Sequence, residues 1–343
     1  MSQSQESQQR HQVLSVSAPD VRYFTAILRG VSFVSRATVT ITVDGFTVTV
    51  EEARTLLATA FVFKDMFEEY AYHPEVSESR SQPASQTINN AAFEIPLNTL
   101  IECLNIFGTS NVSTTLKTKQ WKQSVEDGGV DHDNDRTGPL DRYFSSSNTG
   151  TAMRMSYEGT GYPLTLHIAE DAAGPTATCQ ITTYEPEPQL ELPFDNDATY
   201  IVFIKQIIQS SWLSDALSEL ENSSYEKITI MSNPPPPRPR AQRAPSKPIL
   251  RIHAAGPFGS CEMDYPNDRE VLETFECEGP VVFSYKLLHI SRTIRALQNS
   301  TKTSLRVDNG GLLCLQLLMP SPRPRGGNSE AFTEFRCLPL DEV

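Results

Sequence analysis

The chain has no apolar run near the ~18 residues that a membrane-spanning helix needs, and no charged-then-apolar opening that would mark a secretory signal. The expectation is a protein that neither spans a membrane nor is exported. Its six cysteines, Cys103, Cys179, Cys261, Cys277, Cys314 and Cys337, stand far apart with no C-x-x-C pair. That spacing suits neither a disulfide framework nor a zinc ribbon, so free thiols in a reducing compartment are expected. Positive charge is also scarce: 29 Lys and Arg face 42 Asp and Glu, a net charge of −13. This balance excludes a protein that coats DNA with its whole surface. A small basic face on an otherwise acidic body remains open.

Catalytic motifs are equally scarce. There is no G-x-S-x-G nucleophile elbow and no G-x-x-x-x-G-K-[ST] phosphate loop. The run Asp131, His132, Asp133, Asn134, Asp135 opens like a calcium loop. Arg136 then replaces the turn glycine and Arg142 the bidentate glutamate, so a solvated acidic loop is expected. Asp268 and Glu270 form a D-x-E pair such as a two-metal exonuclease uses. However, no tyrosine has Asp four residues later and no histidine has Asp five later, so the remaining proofreading motif is missing. His167, His253 and His289 have no acid or nucleophile nearby in sequence. No catalytic residue, metal or cofactor is expected.

What is present is an interrupted scaffold. A hydrophobic content of 38% over 343 residues can form a core in two domains of ordinary size. The polar leader 1–12 and four stretches, about 73–92, 109–149, 233–248 and 321–330, have little to bury and read as disordered insertions. The third is rich in proline and carries Arg238, Arg240, Arg243 and Lys247. It can form neither helix nor central strand, and could serve nuclear import, groove docking or nothing at all. Between the insertions, residues 37–50 alternate around Asp44-Gly45, a hairpin signal. Strand-like alternation returns at 152–168, 227–231, 249–254 and 304–319. Helical spacing is predicted over 20–29, 97–104, 197–209 and 285–297. Asp20, Tyr23 and Ile27 recur as Asp197, Tyr200 and Ile204, a faint duplication over half the chain. Arg154-Met155 before Gly159 likewise matches Arg306-Val307 before Gly310. The predicted class is α+β with antiparallel hairpins.

Six blocks carry a family resemblance, in order: VTVEEARTLLATAFVFKDMFEEY (48–70), LIECLNIFG (100–108), MRMSYEGTGYPLTLHI (153–168), YEPEP (184–188), MDYPNDREVLETFEC (263–277) and SLRVDNGGLLCLQ (304–316). They resemble the Rad-one subunits of the nine-one-one DNA-damage checkpoint clamp, relatives of the sliding clamp PCNA. The resemblance implies two similar domains, 13–183 and 195–343, each with two helices on antiparallel sheet, joined by a connector over 184–194. It implies a heterotrimeric ring with two sister subunits around duplex DNA, helices lining the hole. It also implies nuclear checkpoint and repair work, client proteins docking beside the connector at Tyr184, Leu190, Leu192 and Phe194, and, since no phosphate loop is present, an external ATP-dependent loader. Alternatives are a 3′-5′ exonuclease using Asp268 and Glu270, and a homotrimeric replicative clamp.

The charge pattern fits a ring. The four predicted helices carry Arg22, Arg29, Lys205, Lys286, Arg292 and Arg295 against Asp20, Glu102 and Asp197, a positive excess inside an acidic chain. Such cations are expected to face DNA as point charges that touch phosphates without reading bases.

Overall fold

The computed structural model describes residues 12–74, 90–108, 151–170, 174–194, 202–221, 223–234, 248–265, 268, 271–277, 279–320 and 331–341, and of 202–207 the backbone alone. The leader, most of the four insertions, the run 131–135, the cations Arg238, Arg240, Arg243 and Lys247, Asp197 and Glu270 lie outside the described residues.

The chain is α+β and its element order repeats. The first series is β1 (Leu14–Ala18), α1 (Val21–Val31), β2 (Arg36–Thr42), β3 (Gly45–Glu52), β4 (Leu56–Phe63), β5 (Glu69–Tyr72), β6 (Ala91–Pro96), α2 (Leu97–Leu104), β7 (Ala152–Tyr157), β8 (Leu164–Ala169) and β9 (Thr176–Ile181). The second is β10 (Val202–Gln209), α3 (Ser210–Glu221), β11 (Lys227–Ser232), β12 (Leu250–Gly256), β13 (Gly259–Tyr265), β14 (Leu272–Cys277), β15 (Val281–Lys286), α4 (Leu287–Ser291), α5 (Ile294–Leu297), β16 (Lys302–Asp308), β17 (Leu313–Met319) and β18 (Ala331–Cys337). Ala91 and Ala92, assigned by composition to an insertion, already belong to β6.

All strand pairs are antiparallel and form three sheets. Five strands run β5-β1-β7-β8-β9, four run β13-β12-β11-β15, and nine run β14-β10-β16-β17-β18-β4-β3-β2-β6. The nine-stranded sheet joins the two series through the β4–β18 pair, where Phe335 lies opposite Ala58 and Phe332 opposite Phe61. Strict alternation in β4 buries Leu56, Ala58, Ala60 and Val62 on one face. Helices α1, α2 and α3 all contact this sheet, with α1 lying on β3, β4 and β18. Helix α1 meets α5 so closely that a Cβ on Gly30 would stand 3.0 Å from the Cβ of Ala296. A side chain at that position would press the two helices apart by a few tenths of an ångström.

Two elements differ from their sequence reading. Residues 202–209 form β10, not a helix, so Lys205 lies on a strand paired with β14 and β16. The β-branched residues Val202, Ile204, Ile207 and Ile208 favour a pleated backbone, and their spacing mimics a helical face. The match of Asp20, Tyr23 and Ile27 to Asp197, Tyr200 and Ile204 therefore fails: β10 corresponds to β1, and α3 to α1. In the second case, Tyr285 and Lys286 end β15, and the helix that follows breaks into α4 and α5 at Arg292-Thr293. The hairpin at Asp44 is present, but Gly45 is the first residue of β3 rather than part of the loop. With φ +144°, and with Val62 O standing 2.2 Å from where its Cβ would be, it is needed for the approach to β4.

Candidate nucleic-acid and subunit interfaces

Helix α1 begins at Asp20, whose carboxylate accepts the Arg22 N–H at 2.9 Å as an N-cap. Its partly exposed positions are Arg22, Ala26 and Arg29, one stripe of the helix. Arg29 joins Arg292 and Arg295 around a concavity of about 440 Å³ between α1, α3, α4 and α5, with Glu221 on its wall. Three of the six cations predicted to face DNA are thus brought together. Arg22 sits two turns away along α1, Lys286 is exposed ahead of α4, and Lys205 lies on β10.

These arginines are not equivalent. Arg22 makes a bidentate pair with Asp20, at 2.6 and 2.9 Å, and its side chain is only 12% exposed. Arg292 makes a bidentate pair with Glu52, at 2.8 and 2.9 Å, and lies over the Phe33 ring. The Arg292 hydrogen bond holds the Glu52 carboxyl below its ordinary range despite partial burial. Arg295 is exposed. Glu52 and Glu221 carried no signal in the sequence: neither belongs to a predicted helix, and only the fold brings them to the cations.

The connector crosses one face of the nine-stranded sheet. Tyr184 is bridged to Glu94 by two N–H···O bonds of 2.9 Å, so the stretch is not wholly free of sheet pairing. Beyond it, Leu190 N–H donates to Glu51 and the Arg336 guanidinium donates to the Leu192 carbonyl. Leu192 and Phe194 are 7% and 6% exposed and pack with Leu312 and Cys314, with Leu57, Leu190 and Leu338 beside them. These side chains, expected beside docked clients, cover an apolar groove and fasten the connector to the sheet. The open space beside the connector, about 230 Å³, lies instead against the first series of strands, lined by Arg36, Thr38, Glu51, Glu94 and Glu187. Leu192→Asp should accordingly cost about 2–4 kcal/mol of stability, from lost burial and a desolvated charge. Denaturant unfolding of the purified variant checks this.

Asp268 is exposed, and its carbonyl accepts the N–H groups of Val271 and Leu272 in a turn. Among the described residues no group of three or more His, Cys, Asp or Glu side chains converges as a metal site. His289 is buried near the Cys337 thiol, and His167 meets Thr178. All six cysteines are free thiols. Burial pushes Cys314 and Cys337 up to about 12, away from thiolate chemistry.

Two sheet edges have a counterpart elsewhere in the chain. By the shared register, β9 stands where β18 stands, and β13 where β4 stands, but among the described residues β9 and β13 each lack the partner that β18 and β4 give one another. Strand β9, TATCQI, carries no charge and no proline to discourage pairing. On β13, Glu262 and Asp264 are both held by Arg251. The helices beside these edges repeat the mismatch. Buried Phe24, Leu28 and Val31 on α1 correspond to Leu213, Leu217 and Leu220 on α3, which sets Tyr23 opposite Trp212. Tyr23 is 9% exposed and Trp212 50%. Aligning Leu97 with Leu287 sets Ile106 opposite Ala296; the latter is fully buried and Ile106 is 51% exposed.

Comparison with known proteins accords with these features. The family model for "Repair protein Rad1/Rec1/Rad17" matches residues 13–319. The mouse protein named cell cycle checkpoint protein RAD1 is 31% identical over 344 positions, covering 100% of this chain and 98% of its own. The human protein of that name is 32% identical, covering 96% and 93%. A protein of Mycosarcoma maydis named DNA repair exonuclease REC1 is 25% identical, covering 96% of each. Matched along nearly its whole length by both the family and its mammalian members, the chain belongs to the Rad1/Rec1/Rad17 repair-protein family.

Proposed function

We propose that this chain is one protomer of a DNA-damage checkpoint clamp, closed by two sister subunits into a ring around duplex DNA in the nucleus. Its two clamp domains would be 13–183 and 195–343, linked by the connector 184–194. The observation that carries this reading is the β4–β18 junction. The chain joins its own halves by pairing two sheet edges and crossing helix α1 over α5. It then leaves the equivalent edges, β13 and β9, open at either end. An object with one closed junction and two open complementary ones is suited to head-to-tail assembly, which closes into a ring when the rotation allows. In such a ring the helix layer would face inward and offer the Arg29, Arg292 and Arg295 concavity to phosphates. The connector face would look outward, toward repair and signalling clients. With no ATP-binding loop in the sequence, an external ATP-dependent loader opens the ring.

On this reading the chain tethers and makes no bonds. The assembled ring, loaded on circular duplex, should stay bound when washed at moderate salt and leave once the circle is cut. Equal retention on cut and uncut DNA would reject encirclement. The name of the Mycosarcoma maydis relative supports a second reading, a nuclease using Asp268 and Glu270. Nucleotide release by the purified chain with magnesium, abolished in D268A/E270A, would establish it.

A further inference from the structure

The two carboxylates that grip arginines on the helix face raise a question about what those arginines can offer a phosphate. Glu52 ends β3 and leads into a turn in which two consecutive non-glycine residues, Ala53 and Arg54, both have φ near +54°. Left-handed backbone at such residues is strained and persists only where the surroundings impose it. Here the Thr55 N–H closes the turn on the Glu52 carbonyl, and Leu338 N–H fastens Thr55 from the other side. The turn presents the Glu52 side chain to Arg292 at the rim of the Arg29 and Arg295 concavity. Both partners remain accessible, 33% for Arg292 and 21% for Glu52, so a competing anion can reach the guanidinium. A fully buried pair could not exchange in this way.

Resting on the proposed DNA-encircling role, we propose that Glu52 is an internal competitor for phosphate, which occupies Arg292 and keeps the ring's grip on DNA weak enough to slide. Glu52 takes the Nε–Nη2 edge of the Arg292 guanidinium, which leaves a phosphate only the Nη1 end unless it displaces the carboxylate. Either way the phosphate meets an arginine whose charge Glu52 already balances, with that carboxylate close beside it. The net value of the contact is therefore far below that of a free arginine. Asp20 holds Arg22 in the same two-point manner on the same helix layer, but that arginine is only 12% exposed and less open to an anion. Asp20 also caps α1, which makes Glu52 the cleaner position to test.

Equilibrium binding of the assembled ring to a short linear duplex, whose open ends admit a ring without a loader, is measured across a salt series. Each added phosphate contact steepens the slope of log K against log salt by ~0.9, about eightfold in affinity at ~0.1 M salt. Glu52→Gln should strengthen binding by up to that factor and steepen the slope. Arg292→Gln should weaken binding, because Glu52 is left uncompensated near the phosphates. The double variant should return close to the parent. A purely structural ion pair predicts another order: both single variants weaken binding in step with their melting temperatures, with no change in slope, and that result would overturn the proposal. Should E52Q alone fail to fold, the comparison of R292Q with E52Q/R292Q decides, since removing Glu52 must then raise affinity. An R29Q/R295Q ring separates the two levels of the argument. If it binds like the parent, the DNA-facing reading itself is wrong. If it is weakened while E52Q gains nothing, only the competitor role fails.

Discussion

Trp212→Asp and Ile106→Asp should each abolish one, and a different one, of the chain's two subunit contacts. Trp212 stands on α3 beside the open β13 edge, and Ile106 follows α2 beside the open β9 edge. The positions matching them, Tyr23 and Ala296, are buried, the latter against Gly30 of the facing helix at the internal junction. A half-exposed tryptophan at the corresponding place between subunits has the properties of a binding anchor, worth ~2 kcal/mol or more when removed. Aspartate adds the cost of desolvating a charge. Each variant should thus lose ~30-fold or more in affinity for one sister subunit and keep the other. Neither should unfold, because both side chains are about half exposed in the single chain and surface changes stay within about ±0.5 kcal/mol. Pairwise light scattering with each sister subunit reads the result. If both variants lose the same partner, or neither loses any, the register between the two series has been misassigned.

Charge reversal inside the ring has the next largest expected effect. Arg29 and Arg295 share the concavity with Arg292. Arg29→Glu with Arg295→Glu removes four units of charge from that surface. If each arginine serves one phosphate, the salt slope falls by ~1.8 and affinity by about 60-fold at ~0.1 M salt. The fold should be unaffected, since α5 faces α1 through Gly30 and Ala296 rather than through these side chains, and assembly too, since the subunit contacts proposed lie at β9 and β13. Asp268→Ala, far from any phosphate on this reading, should leave retention unchanged. A reversed ring that holds DNA as well as its parent would remove the helix layer from the interface.

Much of the fold was legible because local signals agreed with tertiary demand. Helix α1 has a capping aspartate, an apolar stripe and a serine after its end. Helix α2 has Leu97, Leu100 and Leu104 in register behind Pro96, and all three are buried. Residues 197–209 misled because a β-branched run at helical spacing serves either structure, and pairing between β14 and β16 decides it. The helix that follows was readable from Leu213, Ala216, Leu217 and Leu220. Its two opening serines and the lack of a capping aspartate hid it, and Trp212 was hidden with it. Side-chain partnership was the least visible level. The sequence suggested that Arg22 and Arg292 would face DNA, but could not show that each grips a carboxylate; for Arg292 that carboxylate is Glu52, far away in the chain. Likewise the apolar residues at 190–194 read as lying beside docked clients, and only the fold shows that Leu192 and Phe194 pack against Leu312 and Cys314.

The β4–β18 pair also sets the order in which this protein can be made. Phe335 pairs with Ala58 across most of the chain, so the central sheet stays incomplete until almost every described residue has been synthesised. Until then the first series of strands exists with β4 as a bare edge of its sheet, an exposed border that the finished fold covers. Pairings this distant in sequence form slowly, and exposed edges of intermediates invite association with other chains. The vulnerable period ends when Ala331–Cys337 adds along Leu56–Phe63. Protection of the newly made protein against aggregation thus depends on a single late strand.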